Sequence, residues 1–311
     1  MDLYAPFLER DENGIRAAIR EYRRSHTSQE LFESVARFAV LAYAPSQHAK
    51  HAMICCLCAW EVRDKLGDRF DDLLAECAIY AAASRQPWSE PPITDPPPLD
   101  AKQRGDIDEL RESVAAQNRL RGERWLAKRY RDPDFARDYF TVASDDFEDL
   151  GHKLIIAVTA WKLARIFGEQ GSYPTLRTGI WEMTAYRGER YAEKGGSIDR
   201  QTLIQNMVAN RGDIVSAHAL FLYDAAEQTG DADVMRRVRD YLGSTGTPAG
   251  TDKSVRATSS VRATSLQFQP YRLARDYGAF LKAFARGDDR VIAAAKYNLD
   301  HAPSFDEFTF A

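Results

Sequence analysis

Residues 51–68 read HAMICCLCAWEVRDKLGD, and residues 152–169 read HKLIIAVTAWKLARIFGE. Both stretches repeat apolar residues at three- and four-residue steps, which predicts a helix for each. They align without a gap at His51/His152, Ile54/Ile155, Ala59/Ala160, Trp60/Trp161 and Gly67/Gly168. Amphipathic helices share a period by default. A histidine, a tryptophan and a terminal glycine in one register go beyond that. The reading is an all-α fold: a multi-helix bundle with two pseudo-repeated helical halves around one interior site. A third run, HALFLYDAAEQTGD from His218, opens with a similar histidine-plus-apolar segment but lacks the tryptophan.

Working outward, the helical pattern covers almost the whole chain. A first amphipathic helix is expected over about 8–25. Thr27 and Glu30 form a capping-box pair ahead of Leu31, Phe32, Val35 and Phe38, so a helix should open there. After Pro45, Ser46 can cap the helix that carries His51, and a further helix covers about 69–84. Residues 86–100, QPWSEPPITDPPPLD, hold six prolines and read as an extended connector. A charged helix over 104–131 ends at Asp132-Pro133. Helices follow at about 134–143, 146–167, 174–193, 199–210, 213–229 and 231–242. Pro174 suits a first turn, and Asp199 and Asp231 suit N-caps. This divides the chain into a first half at 1–100, a second half at 101–242, a Gly/Ser/Thr-rich loop at 243–265, and C-terminal helices at 266–311 that pack back on one compact body. The loop repeats SVRATS at 254–259 and 260–265, which reads as local duplication in a surface segment.

Composition narrows the function classes. The 311 residues are 44% hydrophobic and 28% charged, with a formal net charge of −4. No apolar run approaches the ~18–20 residues that a membrane helix needs. The acidic balance argues against a general nucleic-acid surface. The N-terminus, MDLYAPFLERDENG, lacks the apolar stretch of an export signal, so a cytoplasmic location is expected. Three of the four cysteines (Cys55, Cys56, Cys58 and Cys77) lie within four residues, in C-C-x-C rather than zinc-site spacing. They read as buried thiols packing as small hydrophobes.

The histidines carry the chemistry. His48, His51, Cys55 and Cys58 share one helix face, and so do Asp149, His152, Ile156 and Thr159. His48-x-x-His51 and Asp149-x-x-His152 therefore occupy similar places on their helices. Helical bundles hold metals with a carboxylate-x-x-His motif on each of two helices. His48, His51, Asp149 and His152 are accordingly candidate ligands for iron, manganese or zinc, and His218 could add to them. The competing reading makes His51 and His152 acid or base groups in an organic-substrate pocket, with Trp60, Trp161 and His218 shaping it. A third treats each histidine as a buried side chain with a satisfied hydrogen bond. No Walker, Rossmann, H-E-x-x-H or G-x-S-x-G motif occurs.

HAKHAMICCLCAW at 48–60 and GHKLIIAVTAW at 151–161 resemble the histidine-headed helices of questin oxidase-like proteins. The resemblance implies an all-helical fold, oxidative ring-opening of polyketide-type aromatic compounds, and NADPH as cofactor. It carries over to His48, His51 and His152 as pocket residues.

The leading expectation is a cytoplasmic oxidoreductase acting on a small lipophilic or aromatic molecule in a His-lined interior pocket. One alternative is a metal-dependent, di-iron-like oxygenase or hydrolase. Another is a non-enzymatic scaffold that binds a partner or ligand through the charged helix. The arginines and Lys128 of that helix are balanced by Asp106, Asp108, Glu109, Glu112 and Glu123, which also fits a solvated face.

Overall fold

In a computed structural model of the protein, residues 3–45, 49–66, 70–84, 95–99, 102, 104–209 and 214–245 are described. Among them are thirteen helices and no strand. In order these are α1 (Ala5–Glu9), α2 (Glu12–Tyr22), α3 (Ser28–Leu41), α4 (Ala49–Leu66), α5 (Phe70–Ser84), α6 (Ile107–Ala115), α7 (Arg119–Arg129), α8 (Phe135–Ala143), α9 (Glu148–Phe167), α10 (Glu169–Ala185), α11 (Arg200–Ala209), α12 (Ile214–Thr229) and α13 (Ala232–Ser244). The protein is an all-α multi-helix bundle. Ser46, His48, residues 210–213 and everything after residue 245 lie outside the described residues, and so does most of the proline-rich connector.

Local chemistry sets most helix starts. Thr27 accepts from the Glu30 N–H while the Glu30 carboxylate accepts from the Thr27 N–H at 2.7 Å, a complete capping box for α3. Asp199 accepts from the Thr202 N–H at 2.7 Å, and Asp231 from those of Asp233 and Val234. Three expected helices differ. The first is two pieces, because Arg10 turns left-handed (φ 59°) and Asp11 restarts the chain in extended form. The charged helix is also two, broken where Gln117 takes φ 49° and Asn118 caps α7 through the Arg121 N–H. The helix expected from Pro174 begins earlier and ends at Ala185. Gly168, at φ 73° and ψ −167°, turns the chain straight from α9 into α10, which leaves Pro174 inside the helix.

α9 is the hub, with α3, α4, α8, α10 and α12 against it. It is buried on nearly every side, from His152 through Thr159 to Ala164. Helices α4, α9 and α12 run in the same direction through the middle, and their residues meet level by level. His51, His152 and His218 form one level. Three residues on, Ile54, Ile155 and Phe221 form the next, all buried. Ten residues beyond the histidines, Lys162 donates to Glu61 and, at 2.6 Å, to Gln228. Ten helical residues span about 15 Å, so the two polar levels bracket an apolar segment.

Candidate metal centre

Each histidine comes from a different helix, close to its N-terminal end. All three are buried, with 3–5% of their surface exposed. Their Nε2 atoms converge: 3.1 Å between His51 and His152, 3.1 Å between His152 and His218, and 3.3 Å between His218 and His51. The ring planes stand 64–87° apart, so the imidazoles meet edge to edge like blades of a propeller rather than stacking.

Hydrogen bonding fixes the proton on one of the rings. The His152 Nδ1–H donates to the Asp149 backbone carbonyl, and the Asp149 carboxylate stands 3.3 Å from the same nitrogen. A neutral ring with its proton on Nδ1 turns the Nε2 lone pair toward the cluster. A carbonyl or carboxylate behind the distal nitrogen is the usual support of a metal-bound histidine. The sequence placed Asp149 beside His152 as a candidate ligand. Here it stands behind the ring and orients it.

An unusual backbone delivers this support. Asp149, Leu150 and Gly151 all take left-handed angles, with φ of 51°, 61° and 80°. Non-glycine residues pay about 1–2 kcal/mol for that conformation. At Gly151, whose φ of 80° favours glycine, a Cβ would stand 2.7 Å from a Leu222 methyl of α12, four residues past His218, and would push that side chain aside.

Charge collects behind the turn. Lys50, 1% exposed, reaches Asp149 and also Glu182, the latter at 3.2 Å. The Tyr43 hydroxyl donates to the other Glu182 oxygen. Burial raises the Asp149 pKa, but the hydrogen bond from His152 and the charge of Lys50 outweigh it and hold the carboxyl well below its ordinary range. Burial likewise depresses Lys50, and Glu182 and Asp149 reverse that into a net rise. Lys153, next to His152 and also 1% exposed, is bound to Asp146 at 2.7 Å and to the Tyr186 carbonyl at 2.8 Å. Formally, Asp146, Asp149 and Glu182 exceed Lys50 and Lys153 by one negative charge, a setting that favours a cation at the histidines.

The donor set passes a direct test of fit. First-row cations bind imidazole nitrogen at about 2.0–2.1 Å, which sets neighbouring donors about 2.8–3.4 Å apart across octahedral and tetrahedral geometry. The three separations match without moving a side chain. Among the described residues, these histidines are the one group of His, Cys, Asp or Glu side chains whose ligand atoms converge in this way.

The other expected site residues are elsewhere. Trp60 stacks on Phe32 at 4.4 Å beneath the Arg63 guanidinium, and Trp161 meets Phe140 edge-on at 5.5 Å with Arg165 over its ring. Neither touches the small cavity beside the histidines, which is lined by His51, Ile54, Cys55, Ile155, His218 and Phe221. The four cysteines are buried as free thiols. A hydrogen bond that the Cys77 thiol makes to Cys56, together with burial, pushes Cys77 far up, away from thiolate chemistry. Sequence reasoning missed Lys50 and Glu182, which bear no motif. Lys50 was detectable only as a lysine on an otherwise apolar helix next to His51.

No protein family, curated protein or solved structure matches the chain.

Proposed function

We propose that the protein holds one first-row transition-metal ion on His51, His152 and His218 and works as a metal-dependent oxidoreductase. The observation that carries this reading is the convergence of three buried Nε2 atoms at 3.1–3.3 Å. Nitrogen lone pairs aimed at one point repel unless a cation or proton lies between them. Three imidazoles around one point suit a single ion, in contrast to the carboxylate-bridged pairs of di-iron bundles.

Imidazole donors accept iron, manganese or zinc, and the geometry does not choose among them. Oxidation is favoured over hydrolysis by the apolar walls around the histidines. Asp149 stands behind His152 rather than among the three Nε2 atoms, so it is not placed to act as the second base of a hydrolase. The resemblance to questin oxidase-like proteins favours the same choice and an aromatic or lipophilic substrate. In this reading the metal supplies the redox chemistry. His51, His152 and His218 hold it, and Asp149 keeps the His152 proton on Nδ1.

Metal analysis after anaerobic loading with iron(II), manganese(II) or zinc(II) tests the centre. Wild type should retain close to one ion per chain. His51→Ala and His152→Ala should lose it while far-UV circular dichroism stays helical. A wild-type protein that retains no ion after repletion overturns the proposal. The reaction class is tested with a dihydroxy-aromatic reductant in air. The iron form should turn over and the redox-inert zinc form should not. Hydrolysis of an ester by the zinc form, with no oxidation by the iron form, would move the protein to the hydrolases.

A further inference from the structure

The cavity beside the histidines has a size and a chemistry that define what can sit on the metal. It measures about 10 Å³, close to the least volume that admits one water. His51 and His218 form one wall. Ile54, Ile155 and Phe221, the level three residues further along the same helices, form the floor, and Cys55 closes a side. The ligand position therefore lies between the histidine level and an apolar level of the parallel trio. Each floor side chain is buried, at 2–4% exposure.

We infer that the metal's open position on this side takes a neutral diatomic of the dioxygen class and excludes larger ligands. This rests on the proposed metal centre. Size sets the first limit: the space is about that of one water, so a diatomic bound through one end is near the largest ligand it takes, whereas a ring or branched group meets two isoleucines and a phenylalanine. Polarity sets the second. Apolar walls offer few hydrogen bonds to a polar or charged ligand, so a charged one loses hydration there without replacement. An apolar diatomic loses little on entering. An organic substrate is thereby kept off this coordination position and must approach from another side.

The experiment uses full-length protein loaded with iron(II) under anaerobic conditions, with iron content measured first. Nitric oxide, a diatomic stand-in for dioxygen, should give the axial EPR signal of a high-spin iron–nitrosyl. Methyl isocyanide should bind more weakly, and tert-butyl isocyanide about tenfold or more weaker again, since extra methyl groups against a closed wall are rejected on that scale. Ile155→Ala should restore tert-butyl isocyanide binding while retaining iron. The wild-type ligand series stands alone if that variant does not fold. Iron-loaded wild type that gives no nitrosyl signal, or that binds both isocyanides equally, overturns this inference and leaves the metal centre standing. Protein that takes up no iron overturns the metal centre, and the inference with it.

Discussion

The two polar levels of the central helix trio solve the same problem differently. At one end, Lys162 of α9 places an ammonium between the Glu61 carboxylate of α4 and the Gln228 carbonyl of α12. The chain supplies its own cation there, and the side chains of Lys162 and Glu61 keep 26% and 21% of their surface exposed. At the other end the same helices bring together three imidazole nitrogens, at most 5% of each residue exposed. The cation proposed for that end comes from solution. A tie between helices needs only a lysine near water. Three buried imidazole nitrogens in one register, backed by a strained turn and two buried lysines, are a far more demanding arrangement than holding helices together requires.

Substitutions can break this contrast. The largest effect is expected from Lys50→Met, which leaves Asp149 and the buried Glu182 without their shared cation. Removing one partner of a buried ion group costs about 3–5 kcal/mol, readable by urea denaturation. Asp149→Asn comes next. It keeps the backbone carbonyl but removes the carboxylate behind His152. Metal affinity should fall about 10–100-fold, measured by competition with a chelator. Gly151→Ala forces a side chain into φ 80° and against Leu222, so a loss of about 1–2 kcal/mol is expected, with a matching fall in Tm. The smallest effect belongs to the other end. Lys162→Met removes a partly exposed tie and should cost about 1 kcal/mol or less, with metal content unchanged. If Lys162→Met proved as costly as Lys50→Met, or released the metal, the two levels would not be doing different jobs.

Much of the architecture was legible because its signals are local. The Thr27–Glu30 box and the caps at Asp199 and Asp231 depend on residues three or fewer positions apart, and the helices begin where those signals lie. The match between residues 51–68 and 152–169 brought His51 and His152 to notice, and their Nε2 atoms meet. His218 appeared only as a weak third echo, because the likeness of α12 to α4 and α9 lies in register rather than in sequence identity. The breaks were harder to read. Arg10, Gln117, Asp149 and Leu150 turn left-handed without the glycine that usually marks such a turn. At Asp149 the cause is tertiary: Lys50, His152 and Leu222 hold the turn from three helices. The tryptophans stand apart from the small cavity. Trp60 packs on Phe32 and Trp161 on Phe140, one per helix at matching positions.

The three donors span a sequence separation of 167 residues. An ion gripping all of them closes two long loops at once, so it acts on the unfolded chain much as a pair of covalent cross-links would. Because only the assembled bundle presents all three nitrogens, binding of the proposed ion would link its free concentration thermodynamically to how much of the chain is folded. Scarcity of the ion would then show first as faster proteolytic turnover, before any loss of chemistry could be measured.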